Sequence, residues 1–179
     1  MFGYDLNQDS PPVDVDRIAE LLGILVSDAP RFDIDDVNIV GKITLEKDQP
    51  ARVWLNPTEN SYTPRRRFTL AHELGHFCMH RATNQTTFVD TKATMNRSES
   101  YWNRLESEAN SFAAELLMPA GLIRSIGREM IDKFKAENAV PMMPMVTFTE
   151  QMASRFKVSN PAMEYRLKNL GIKGQKPST

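Results

Sequence analysis

The sequence predicts an α+β fold, mostly helical, with a small sheet packed against one long helix. Three observations carry that expectation. Apolar residues recur at helical spacing in residues 65–81, 101–118 and 120–137. Two short runs rich in Val and Ile, near 37–45 and 51–55, flank the turn residues EKDQ and Pro50. Helical spacing then returns beyond residue 145 and is interrupted once, by a turn at Lys157–Asn160.

Taken in order, residues 1–13 are polar, are broken by Pro11 and Pro12, and read as a flexible leader. Residues 14–171 are expected to form a single domain, with 147–171 a C-terminal helical pair and 172–179 a disordered tail. VDVDRIAELLGILVSDA spaces Val15, Ile18, Leu21, Leu22 and Leu25 as one helical face, with Asp14 or Asp16 as cap. DDVNIVGKITLEKDQPARVWLNP supplies the two strands of a hairpin. Pro64 restarts the chain, and a long helix is expected from about Arg65 through Arg81. Phe68, Leu70, Ala71, Leu74, Phe77 and Cys78 are its expected buried positions. Residues 82–100 are polar, and only TFVD resembles a short strand, so this is a candidate loop bordering a site. YWNRLESEANSFAAELLMP is a second strong helix stopped by Pro119, and GLIRSIGREMIDKFKAE is a third. After the connector PMMPM, FTEQMASRFKVSNPAMEYRLKNLGI gives two short helices with a turn at Lys157–Asn160.

Composition narrows the class. An apolar fraction of 41% and a charged fraction of 25% are ordinary for a globular domain. A net charge of −1 offers no global field for nucleic acid or anionic membrane. The single cysteine, Cys78, excludes an internal disulfide and suggests a reducing compartment. With neither a signal-peptide pattern nor a long apolar run, the expected location is the cytoplasm.

All three histidines fall within RRRFTLAHELGHFCMH, residues 65–80. Residues four apart on a helix project side by side, so His72 and His76 can converge on one ion. Glu73 is rotated about a third of a turn away, which suits it to reach a water beside the ion as a general base. A lone buried histidine is ordinarily a satisfied core residue. A pair flanking a glutamate on a predicted helix is a different signal, expected by chance on the order of once per few hundred chains.

His80 continues the face, but three ligands from consecutive turns of one straight helix surround an ion poorly. No histidine follows residue 80, so a carboxylate from another element must complete the set. LESEANSF offers Glu106 and Glu108, which point about 200° apart on a helix. Glu106 is favoured because Ala109, Asn110 and Ala113 share its stripe and permit close approach, but Glu108 stays open. Asn110, four residues on, can support a neighbouring ligand through its amide. His80, Tyr62 and Tyr101 are unranked candidates for substrate or oxyanion contacts, with core packing or solvent-facing rings as the plainer alternatives.

RFTLAHELGHFCMH, ESEANSFAAELLMP and FKVSNPAMEYRLKNLGI together resemble the successive signatures of the ImmA/IrrE-type zinc metallopeptidases over roughly residues 50–171. HELGH alone is shared by many peptidases, whereas its combination with E-x-x-A-N-x-F-A-A-x-L-L-M-P is far more specific. The resemblance implies a zincin-like domain with zinc on His72, His76 and Glu106 and the general base at Glu73. It also implies a protein substrate: a helix-turn-helix transcriptional regulator or antitoxin encoded nearby, in a stress-response or toxin–antitoxin system. Many relatives fuse such a DNA-binding domain to the peptidase. The stretch before residue 50 is too short for one, so the partner is expected as a separate protein.

Two other readings compete. The chain can be a zinc-bearing interaction module that sequesters a partner with little proteolysis, although a pure scaffold has no need of Glu73. Alternatively the C-terminal helices, with Ser159 as cap and Arg166 and Lys168 on the second, form a DNA reader. Near-neutral charge favours packing over DNA contact. Arg65, Arg66 and Arg67 oppose the dipole of the helix they open, which hints at an acidic contact.

Overall fold

A computed structural model describes residues 10–30, 38–82, 85–92 and 104–174. They fall into two compact units, one running from Asp14 to Leu116 and the other from Leu117 onward. The first holds the mixed α+β architecture and the second is helical.

The first unit opens with α1, Val15–Leu21, where the Asp14 side chain accepts from the Arg17 amide at 3.0 Å. Such a cap stabilises by about 1 kcal/mol. The helix stops earlier than the apolar spacing predicts. Gly23 takes φ +70°, its N–H donates to Glu20 O, and the Ile24 N–H donates to Ala19 O. That paired C-terminal closure needs a residue free to adopt a left-handed backbone. Leu25 therefore belongs to a strand rather than to the helix. β1, Leu25–Ser27, pairs in parallel with β3, Arg52–Leu55. β2, Ile39–Thr44, pairs antiparallel with both β3 and β4, Thr87–Thr91, giving the order β1-β3-β2-β4. The expected hairpin is thus the middle of a four-stranded sheet, and TFVD is part of its edge strand.

α2, Thr63–His80, lies against β2, β3 and α1. Leu70, Ala71 and Leu74 are fully buried with Val40, Ile43, Val53, Leu55 and Phe88 of the sheet. Burying one such side chain contributes about 1.5–3 kcal/mol. Phe68 and Phe77 are half-buried, and Cys78 is exposed rather than a core thiol. The buried stripe runs through residues 69, 72, 73, 76 and 80. Position 78 sits about 200° around the axis from 76 and so points outward. The arginines that open the helix are engaged within the chain. Arg66 meets Asp16 at 2.9 Å and Asp28 at 2.8 Å, which raises its already high pKa, and Arg65 faces Glu59 at 3.8 Å.

One irregularity interrupts the sheet. Between Ile39 and Gly41 the β2–β4 register slips, so that Ile39 pairs with Thr91 and Gly41 with Asp90, leaving Val40 extra. A bulge loses ladder hydrogen bonds and re-aims its neighbours. Two asparagines that follow β3 bind the carbonyls beside the bulge. Asn56 Nδ2 donates to Ile39 O at 2.8 Å, and Asn60 Nδ2 donates to Val40 O at 2.7 Å. Asn60 Oδ1 in turn accepts from Thr69 Oγ1 of α2 at 2.7 Å, tying the bulge to the long helix. α3, Arg104–Leu117, completes the unit. Its Ala109 approaches Gly75 so closely that a Cβ on Gly75 would lie 3.1 Å from Ala109 Cα.

The second unit contains α4, Ala120–Asn138, α5, Met145–Phe156, and α6, Asn160–Asn169. Lys157 at φ 50° ends α5, and the Ser159 side chain caps α6 by accepting from the Ala162 amide. Ile123, Met152, Phe156, Met163 and Leu167 form its core. Arg166 is buried and its Nε donates to Met118 O at 3.0 Å, so this cation packs inside the unit. No helix among the described residues is long and apolar enough to cross a membrane.

Candidate metal centre

α2 carries His72, Glu73, His76 and His80 on the side that faces β4 and α3, and all four are buried. Helical spacing brings His72 Nε2 and His76 Nε2 to 3.0 Å from each other. Glu106 of α3 comes to meet them, with Oε2 at 3.2 Å from His72 Nε2 and Oε1 at 3.6 Å from His76 Nε2. Glu108 points elsewhere, toward His80. The small residues around Ala109 let α3 come this near.

A fourth donor arrives from β4, the TFVD stretch that the sequence marks as a short strand within a loop bordering the site. Asp90 is fully buried, with Oδ2 at 3.2 Å from His72 Nε2 and 4.0 Å from His76 Nε2. Its neighbour two residues back, Phe88, stacks on the His76 ring at a centroid distance of 4.3 Å. Strand alternation is the available signal: Phe88 and Asp90 point inward while Val89, between them, is exposed. His72, His76, Asp90 and Glu106 each offer one donor atom, and these atoms all lie within 4.8 Å of one another.

Surrounding groups fix which ring nitrogens face the centre. Asn110 Oδ1 lies 3.0 Å from His72 Nδ1, and an amide oxygen can only accept. His72 therefore carries a proton on Nδ1 and turns Nε2 toward the carboxylates. On the far side, His76 Nδ1 meets His80 Nδ1 at 3.0 Å, and His80 Nε2 meets Glu108 Oε2 at 3.1 Å. Arg104 Nε donates to the other Glu108 oxygen at 2.7 Å. Arg104, then His80, hold the Glu108 carboxyl below its usual range. Both ring nitrogens of His80 thus face neighbours within the site. Tyr62, at the N-cap of α2, is 57% exposed, and Tyr101 lies outside the described residues.

Glu73 has a different environment. Neither of its oxygens has a hydrogen-bond partner among the described residues, although both are buried. Burial first, then the negative charges of Asp90 and Glu106, push its pKa well above the usual carboxylate range. Gly41 makes the space for it. A Cβ there would collide with Glu73 Oε1 and come within 2.7 Å of Thr69 Cγ2.

Nitrogen and oxygen lone pairs aimed at one point repel unless a positive species sits among them. A proton is one such species. Burial opposes protonation of His72, but Asp90 and then Glu106 outweigh it and raise that imidazole to about 9. Burial likewise opposes ionisation of Glu106, and the facing His72 and His76 overcome it and lower its pKa. A divalent cation fits better still. Two imidazole nitrogens and two carboxylate oxygens are ordinary ligands for zinc and related ions, and they would balance the charge at this buried point.

No match was found among curated proteins. The sequence profile of a peptidase family, peptidase M78 with its IrrE N-terminal-like domain, matches residues 20–168 and so spans α2, β4, α3 and all four donors. With a buried group able to hold the metal that such peptidases use, and a match over most of its length, the chain belongs to the peptidase M78 family.

Proposed function

We propose that the chain is a zinc-dependent endopeptidase whose target is a protein regulator, a helix-turn-helix repressor or antitoxin encoded nearby. The observation that carries the catalytic part is the convergence of His72, His76 and Glu106 beside the buried carboxyl of Glu73. The choice of target rests on the resemblance of the sequence to the ImmA/IrrE-type enzymes.

In this reading His72 and His76 present Nε2, and Glu106 presents its carboxylate, to one zinc ion. Zinc bound there would supply Lewis acidity, polarising a scissile carbonyl and making a water acidic near neutral pH. Glu73 takes the proton from the attacking water and returns it to the leaving amine. Asn110 holds His72 in the tautomer that offers Nε2. His80 does the same for His76: it accepts from His76 Nδ1–H, donates its own Nε2–H to Glu108, and is a support rather than an oxyanion donor.

The test is to incubate the zinc-loaded chain with the helix-turn-helix protein encoded beside it and to identify products by mass spectrometry. Defined fragments with the wild type and none with Glu73→Gln are expected. An intact partner in both samples would overturn the proposed target, and fragments from both would overturn the mechanism.

A further inference from the structure

The cluster holds one more ligand than a hydrolytic metal site ordinarily uses. Ligands about 2.05 Å from a tetrahedral zinc are separated by roughly 3.3 Å. The separations here bracket that edge. They are 3.0 Å between His72 Nε2 and His76 Nε2, 3.2 Å from His72 Nε2 to Asp90 Oδ2 and to Glu106 Oε2, 4.0 Å from His76 Nε2 to Asp90 Oδ2 and 3.6 Å from His76 Nε2 to the other Glu106 oxygen, Oε1. A tetrahedral ion bound by all four donors would have every corner filled by the chain. Structural zinc sites are closed in this way, whereas catalytic ones keep a corner for water or substrate.

We propose that Asp90 is a fourth protein ligand occupying the corner that the attacking water needs, so that the resting site is closed and hydrolysis requires Asp90 to withdraw. The proposal rests on the metal centre of His72, His76 and Glu106 and adds its regulation. The sheet aims Asp90 at this corner. Asp90 pairs with Gly41 at the end of the Val40 bulge, and that bulge is fixed by Asn56 and Asn60. From that position the Asp90 carboxylate reaches His72 Nε2 at 3.2 Å. β4 is also an edge strand. It is the last in the sheet order and is held by a ladder on one side, to β2. A local shift there breaks one set of strand hydrogen bonds and leaves the β1-β3-β2 core intact.

Cobalt substitution of the full-length chain tests this without a substrate. One equivalent of Co2+ is loaded into wild type and Asp90→Asn, the visible spectrum is followed as azide is added, and affinity is measured by chelator competition. The wild-type spectrum is expected to ignore azide, because no corner is exchangeable. Asp90→Asn should bind Co2+ at least about 10–100-fold more weakly, since even outer-shell partners are worth that much. Its spectrum should also shift as azide enters. A wild-type spectrum that moves with azide would overturn the proposal, as would an Asp90→Asn variant with wild-type affinity and spectrum. Should the variant not fold by circular dichroism, Asp90→Ala and the wild-type azide titration decide in the same way. A folded wild type that takes up no Co2+ would instead overturn the metal centre itself.

Discussion

Gly41 and Glu73 fit each other as space and occupant: the strand glycine ends where the helix carboxylate begins, and a methyl group on Gly41 would overlap Glu73 Oε1. Gly41→Ala should therefore displace the base without touching a ligand. Overpacking of this kind typically costs about 1–3 kcal/mol. Hydrolysis should fall by about 10²-fold or more, the scale of general-base assistance, while zinc stoichiometry stays at one. Elemental analysis, a thermal melt and kcat on one sample check all three.

Glu73→Gln should lower kcat by about 10²–10⁴-fold and leave the metal bound. It should also stabilise the metal-free protein in a pH-dependent way. Burial and the charges of Asp90 and Glu106 raise the Glu73 pKa above its ordinary value of 4.5, so above that pH the folded state binds this proton more tightly than the unfolded one. Stability of the wild type then falls as pH rises from 4.5 toward the folded pKa, by about 1.4 kcal/mol per pH unit for this group. Melts of both proteins in chelator at stepped pH above 4.5 should show the variant's advantage widening until the folded pKa is passed. An advantage that narrows would contradict the assigned burial.

Metal uptake should release a proton. In the metal-free site Asp90 and Glu106 outweigh burial and raise His72 to about 9, so below that pH a cation must displace the proton first. Apparent affinity should climb by about tenfold per pH unit between pH 7 and 8 and level off above 9. Chelator competition at several pH values measures the slope, and a flat profile would contradict it.

The His76–His80–Glu108 chain predicts a specific defect in His80→Ala. Zinc affinity should drop about 10–100-fold through loss of His76 orientation, with little change in kcat once zinc is saturating. Asn110→Ala should behave alike through His72. If either variant lost kcat at full zinc occupancy, that residue would be touching substrate instead.

The helical half of this site is legible in the sequence because its logic is local. His72, Glu73 and His76 lie within two turns, and Glu106 and Asn110 within one, so 3.6-residue periodicity alone sets them on shared faces. Asp90 and Gly41 depend on how β4 pairs with β2, a relationship between residues about fifty apart that no local period encodes. β1 is hidden for a related reason. Leu25 fits the apolar spacing of α1, and only the left-handed Gly23 shows that the helix has already stopped. Cys78 is the opposite kind of miss, since counting 100° per residue from His76 is enough to place it outside.

The single surplus residue at Val40 makes the chemistry of the centre hostage to chain length rather than to side-chain identity alone. Sliding β4 by one place would present Val89 or Thr91 to the imidazoles and swing Asp90 into solvent, because successive strand residues face opposite ways. A one-codon deletion in residues 38–41, or an insertion in 86–90, should thus disarm the protein although every member of HELGH is intact.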